Sequence, residues 1–364
     1  MTDWNQVRGE FPSLAHWTYL NTATFGQHSL RTEAAIAGHL ARRTENACYD
    51  FLAWFNDHDG LRAKLASLIH CSAEDVAFFP NSAAVLGLLL NGLEWADGDE
   101  VVALQDEFPN QIYAPLARGL VLKEVTPDLL EASLTPRTRL VALSTVNYIT
   151  GHRADIEAIV RLCHERGIPL YIDGTQSAGA LRFDFSAYQP AAFAANTYKW
   201  MCCPSGVAFA AIHPAMRPRL RPLTVGWRSH KDWRKVENLH HGPPALKDSA
   251  ERYEGGMLAS PLLYALEACV DTFLEIGPEE IEQRVLHLAS LTRKGLRGLG
   301  LEPLDNPGSP IIAVPLPDAP AAARSLKDAR ILVAARHGLL RVSTHFYNNE
   351  SDVDSLLDVL GRIL

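Results

Sequence analysis

Short apolar runs alternate with stretches of helical periodicity over the first 215 residues or so. "DVAFF" (75–79), "EVVAL" (100–104), "RLVALSTV" (139–146), "IPLYID" (168–173), "AAFAAN" (191–196) and "GVAFAAI" (206–212) are apolar nearly throughout rather than at every second position. Runs of this length without alternation predict strands covered on both faces, as in a mainly parallel sheet. Helix candidates lie between them, from Ser82 to Leu93, from about Asn110 to Gly119, and over 155–167. In the last of these, Ile156, Ile159, Val160 and Cys163 share one helical face. The pattern predicts an α/β fold with helices on each side of the sheet.

After about residue 215 the alternation stops. "HPAMRPRLRP" and the polar "RSHKDWRKVENLHHGPP" interrupt it. Long helical patterns follow at 260–275 and 278–298, then short strands at 311–316, 331–336 and 339–344, and a last helix at about 350–363. This predicts a large domain over 15–245 and a smaller α+β domain over 246–364, which the N-terminal segment 1–14 joins. A chain of 364 residues suits that division.

Charge and composition narrow the partners. The formal net charge of −8 argues against nucleic acid and against an acidic membrane surface. No 18-residue apolar run predicts a membrane span. The N-terminus "MTDWNQVRGEFPSL" is too polar for a signal peptide, so the cytoplasm is the expected location. The six cysteines (Cys48, Cys71, Cys163, Cys202, Cys203 and Cys269) form no C-x-x-C pair, and no histidine cluster completes a zinc pattern. They read as buried thiols, with Cys202–Cys203 as close packing in a turn, and no metal is expected. Neither a Gly-x-Gly-x-x-Gly nor a P-loop motif occurs, which removes the main support for a dinucleotide or nucleoside triphosphate site.

In open α/β sheets ligands sit beyond the carboxyl ends of the strands, so the residues following each apolar run are the candidates. These are Asn81–Ser82–Ala83, Asp106–Glu107–Phe108, Asn147–Tyr148, Asp173–Gly174–Thr175–Gln176 and Asn196–Thr197–Tyr198–Lys199. Lys199 sits between two apolar runs. An amine there is either a snorkelling side chain at a strand end or a desolvated nucleophile able to form a Schiff base with an aldehyde. Asp173 could hold a pyridine nitrogen protonated, or could cap the following turn. Phe108 could stack on a ring or fill the core. Ser82 and Ala83 open a helix, where backbone N–H groups attract phosphate and where Asn81 or Ser82 would equally serve as an N-cap.

The order of these signals is more specific than any one of them. It runs from a phosphate turn to an aromatic, then Asp-x-x-Gln, then a lysine 26 residues after the Asp. With "FPSLAHWTYLNTATFG", "VNYITGHRADIEAI", "RYEGGM" and "LLRVSTHFYNNESDVDSLLDVL", the chain resembles the class V aminotransferase family of fold-type I, pyridoxal-phosphate-dependent enzymes over nearly its whole length. The resemblance implies that Lys199 carries the cofactor, Asp173 pairs with the pyridine nitrogen and Gln176 meets the phenolate oxygen. It also implies that Phe108 stacks on the ring and that Ser82, Ala83, Asn196 and Tyr198 surround the phosphate. Arg341 would bind the substrate α-carboxylate, rather than being a surface arginine on an edge strand. Trp227 resembles a family tryptophan that reaches the partner subunit's phosphate, in an expected homodimer. The implied reaction is Cα deprotonation of an amino acid, nominally transamination, with a C–S or C–C lyase or a catalytically idle binding protein as alternatives.

The chain departs from many relatives in four places. Tyr198 replaces a histidine before the lysine, and Phe108 stands where desulfurases use a stacking histidine. Met257 replaces the threonine of a Gly–Thr pair. No cysteine follows Cys269, so the mobile persulfide-carrying cysteine of ordinary desulfurases is missing.

Overall fold

The computed structural model describes residues 2–239 and 242–364. In chain order the first helices are α1 (Trp4–Gly9), α2 (Leu30–Asn46), α3 (Phe51–Ile69), α4 (Ser82–Gly92), α5 (Pro109–Ala117), α6 (Leu130–Ser133), α7 (Ile156–Arg166) and α8 (Phe185–Tyr188). They are followed by α9 (Ser260–Ile276), α10 (Pro278–Gly298), α11 (Ala319–Asp328) and α12 (Glu350–Ile363). The strands are β1 (Thr18–Tyr19), β2 (Val76–Phe79), β3 (Glu100–Leu104), β4 (Val121–Val125), β5 (Thr138–Ser144), β6 (Leu170–Asp173) and β7 (Ala192–Asn196). The remaining strands are β8 (Ala208–Ile212), β9 (Ile311–Pro315), β10 (Ile331–Leu332), β11 (Ala334–Arg336) and β12 (Leu339–Ser343).

The central sheet has the order β2-β8-β7-β6-β5-β3-β4. Its members pair in parallel except β8, which runs antiparallel to both neighbours. Residues of β2, β3, β6, β7 and β8 are buried at every position, as continuously apolar strands require when helices cover both faces. β4 is the exception. Its "VLKEV" is largely open to solvent at the sheet edge, and its weak apolar signal left it out of the predicted strands.

A second, antiparallel sheet of order β11-β12-β9 forms the C-terminal part, with α10, α11 and α12 around it. The expected single strand over 331–336 is two strands. Ile331–Leu332 pairs in parallel with β1, and Ala334–Arg336 pairs with β12. Val333 separates them because the chain changes partner there, which apolarity alone does not report.

The N-terminal segment ties the two parts together. Arg8 holds Asp352 through both guanidinium nitrogens at 2.7 and 3.0 Å, and Asn21 bridges to Ser343. Two helices absent from the pattern reading, α2 and α3, pack on α9.

Candidate functional site

The strand order reverses direction between β3 and β5, since β3 leads outward to β4 while β5 leads the other way to β6. A crevice opens at such a switch point beyond the strand carboxyl ends. A cavity lies there, lined by Ser82, Phe108, Ser144, Tyr148, Asp173, Thr175, Gln176, Asn196, Tyr198 and Lys199. Seven of the ten expected site residues thus meet in one cavity. Ala83, the neighbour of Ser82, sits in the first turn of α4, and Arg341 stands close enough for its charge to act on Lys199.

Lys199 follows β7 in a tight turn closed by Cys202 N–H donating to the Lys199 carbonyl at 3.0 Å, with Cys202 in the left-handed region at φ 57°. The side chain is buried at 7% exposure. No carboxylate among the described residues pairs with its ammonium. Nζ instead lies 5.5 Å from the Phe108 ring centre and 5.7 Å from that of Tyr198. Burial pulls the amine down to about 8, and the positive charges of Arg341 and Arg336 add to the effect against the opposing pull of Asp173. Snorkelling is therefore the wrong description, because the amine turns inward and is poised to lose its proton near neutral pH.

Asp173 ends β6. Its Oδ1 accepts from the Thr175 N–H at 2.8 Å, as in the turn-capping alternative. It is buried, and burial raises its pKa although Thr175, Ser82 and Lys199 oppose that. It has no salt-bridge partner among the described residues.

Gln176 is clamped. Its Nε2 donates to the Ala23 carbonyl at 3.0 Å and its Oε1 accepts from Trp200 Nε1 at 2.8 Å, which fixes the amide and leaves one N–H unused by these bonds. Phe108 is the N-cap of α5, ahead of Pro109, with its ring edge-on to Tyr148 at 5.2 Å.

At the start of α4 the Asn81 side chain caps the Ala84 N–H. Asn196 Oδ1 accepts from the Ser82 N–H at 3.0 Å, and Asn196 Nδ2 donates to Ser82 Oγ at 2.8 Å. Asn196 thus ties the helix start to β7. The Ala83 N–H, one of the first-turn donors, has no intrahelical acceptor. Capping and anion attraction coexist here.

Arg341 is only 2% exposed on β12. Its Nη2 donates to Thr24 Oγ1 at 2.6 Å, and Nη1 donates to the Tyr148 carbonyl. Its Nε has no partner, and no carboxylate among the described residues balances its charge. Burial draws even this guanidinium down to about 10, helped by the nearby charge of Arg336. A buried, uncompensated cation with a spare N–H is a site built for an anion.

Trp227 does not line the cavity. It packs edge-on against Phe55 and Trp233 at 5.9 and 5.4 Å. Nearby, Glu254 of "RYEGGM" has a fully buried side chain that pairs with Arg62 at 2.6 Å and Arg228 at 3.1 Å and accepts the Phe78 N–H. The segment carrying Gly256 and Met257 is anchored to β2 by this network, while Met257 itself is exposed.

Several site residues had no individual signal in the sequence. Thr175 links Asp173 to Asn196. Ser144, level with Asp173 on β5, donates through N–H and Oγ to Glu107 at 2.6 and 2.5 Å. Burial pushes Glu107 up to about 7. Thr175, Tyr148 and Glu107 stand just beyond strand ends, the one positional clue available. Thr24 comes from the N-terminal segment and carried none.

The packing behind the lysine turn is close. A Cβ at Gly26 would lie 1.9 Å from the Lys199 carbonyl oxygen, so only glycine lets the segment pass. His345 Nε2 donates to the Trp200 carbonyl at 2.7 Å from the other side. Among the described residues no helix is long and apolar enough to cross a membrane, and no group of His, Cys, Asp or Glu could hold a metal ion.

The fold and this cavity define an enzyme of the fold-type I, pyridoxal-phosphate-dependent class. The chain belongs to the Aminotransferase class-V family, whose model matches residues 53–356. It is 29% identical to an isopenicillin N epimerase of Amycolatopsis lactamdurans over 83% of this chain and 84% of that one. A kynureninase of Geobacillus thermodenitrificans is 28% identical over 65% of this chain and 59% of its own. Among solved structures, a complex of the cystine C–S lyase C-DES with cysteine persulfide superposes with a TM-score of 0.88 at 25% identity, covering 96% of this chain and 99% of that one.

The residues present fit the cofactor. A buried carboxylate and a buried amine that form no salt bridge among the described residues, a helix N-terminus with an open N–H and an aromatic ring line one cavity.

Proposed function

We propose that the protein acts on an amino acid through Cα proton transfer by Lys199, with Arg341 holding the substrate carboxylate. One observation carries this reading: a buried guanidinium without a salt-bridge partner among the described residues is held against the carbonyl of the cavity-lining Tyr148, close enough for its charge to act on the buried Lys199 amine. Bound there, pyridoxal phosphate supplies an aldehyde that captures amines and a ring that accepts an electron pair. Lys199, Asp173, Gln176 and Phe108 would hold its ring, and Ser82, Ala83, Asn196 and Tyr198 its phosphate end. Trp227 would serve a neighbouring subunit in a homodimer, a reading supported by the exposed Leu223, Val225 and Met257 around it. Sedimentation of the purified protein tests that assembly.

The chain's own groups then do three things. Arg341 orients the carboxylate through the N–H groups not engaged with Thr24 and Tyr148. The Lys199 amine, drawn down to about 8, is neutral often enough near pH 7–8 to take the Cα proton and can return it. Asp173 presents a carboxylate where positive charge on a ring nitrogen is stabilised.

Transamination is the reaction proposed first, as the family's broad activity. A C–S lyase is the second reading, favoured by the end-to-end superposition on the cystine lyase. Retention of Lys199, Asp173, Gln176 and Arg341 together argues against an idle protein. The test is a panel of amino acids given to the holoenzyme, scoring keto acid, pyruvate plus thiol, and inverted stereochemistry separately. Loss of the borohydride-trappable cofactor–lysine bond in Lys199→Ala is expected. A trapped adduct on another lysine refutes the assignment.

A further inference from the structure

β11 and β12 are joined by the two-residue turn His337–Gly338, with φ of 49° and 78°. Two successive positive φ values are what a tight hairpin turn requires, and they hold the register of the strands. That register sets Ala334 opposite Arg341 and Arg336 opposite Leu339. Side chains two apart on a strand share a face, so Arg336 projects on the same side as Ala334 and hence as Arg341. The two arginines are diagonal neighbours, a relation that spans roughly 7–8 Å.

Arg336 differs from Arg341 in exposure. Arg341 is buried, whereas Arg336 lies toward the hairpin tip and is open to solvent. The register sets it diagonal to Arg341, and its charge is felt at Lys199, Arg341 and Tyr148. Its one hydrogen bond is from Nη1 to the adjacent Ala335 carbonyl at 2.9 Å, and no carboxylate among the described residues pairs with it. Two like charges on one face repel each other and neither is neutralised by the protein. Such a pair is relieved by an anion at each arginine.

We propose that Arg336 is a specificity-determining residue that binds a second, distal carboxylate of the substrate, while Arg341 holds the α-carboxylate. The substrate class is then 2-amino dicarboxylic acids, with 2-aminopimelate as the probe. The inference rests on the reading of Arg341 as the α-carboxylate site.

Calorimetry on the apoprotein tests the carboxylate pair without cofactor or turnover. Pimelate is expected to bind roughly 1.4-fold to fivefold more tightly than hexanoate at low salt, a margin set by one exposed charge pair. Salt should shrink the margin. Arg336→Met should abolish the margin, weakening pimelate binding more than hexanoate binding, and Arg336→Lys should restore part of it. In the holoenzyme, the visible band should respond to 2-aminopimelate at correspondingly lower concentration than to norleucine, and Arg336→Met should equalise the two. Equal binding of pimelate and hexanoate, untouched by Arg336→Met, overturns the inference and leaves the proposed function standing. Hexanoate binding that survives Arg341→Met overturns the Arg341 reading, and this inference with it.

Discussion

The protonation of Lys199 gives the sharpest check on the site. Its amine lies near 8 in the folded apoprotein, against about 10.4 for an ordinary lysine. At pH 8 about half the molecules then carry a neutral amine, compared with about 0.4% for an unperturbed one, roughly a hundredfold gain in nucleophile. The directions of two perturbations follow from the charges around it. Arg341→Ala removes a positive charge and admits water, and both changes raise the Lys199 pKa. Asp173→Asn removes the negative group that favours the ammonium, so it lowers the pKa. The assay is the rate at which apoprotein condenses with pyridoxal, trapped by borohydride and mapped to the lysine, measured from pH 6 to 11. A midpoint at an ordinary lysine value for the wild-type protein would refute the claim that Nζ is desolvated. So would a midpoint that falls in Arg341→Ala.

Three further outcomes are expected. Glu254→Ala leaves the buried guanidinium groups of Arg62 and Arg228 uncompensated and should cost about 3–5 kcal/mol in denaturant unfolding; a loss below about 1 kcal/mol would contradict the buried-network reading. His345 is held neutral, with its pKa drawn down to about 3 by burial, while the unfolded chain binds the proton near 6.5. Its contribution to stability is therefore lost as pH falls from about 6.5 toward 3, at up to about 1.4 kcal/mol per pH unit, and His345→Gln should flatten the acid limb of the stability curve by about one proton. Gly26→Ala drives a methyl into the Lys199 carbonyl and should lower both the melting temperature and the affinity for pyridoxal phosphate. An unchanged melting temperature would mean that the N-terminal segment does not brace the lysine turn.

Much of the central sheet was legible in the chain. Five apolar runs became buried strands within a residue or two of their expected ends, because a strand covered on both faces has little room for polar side chains. α10 and α12 were equally plain, since their periodicity is amphipathic. α2 was less so. Its periodicity is nearly as amphipathic as that of α10, but it buries only Thr32 and His39, and much of its surface is exposed alanine, glycine and leucine. The strand pair at 331–336 reads as one run, because a change of pairing partner leaves no mark on hydrophobicity.

The chemistry divides along the same line. The order of residue types along the chain made Lys199, Asp173 and Gln176 candidates, and the family resemblance added Arg341. What those groups can do was decided by the folded molecule. Desolvation lowers the Lys199 amine, the hairpin register puts Arg336 beside Arg341, and Thr24 arrives from more than 300 residues away to hold the guanidinium. Neither a dielectric environment nor a long-range contact is a property of a residue and its chain neighbours. Both arise only when distant segments exclude water together, which is why the candidate groups could be picked out along the chain and their environments could not.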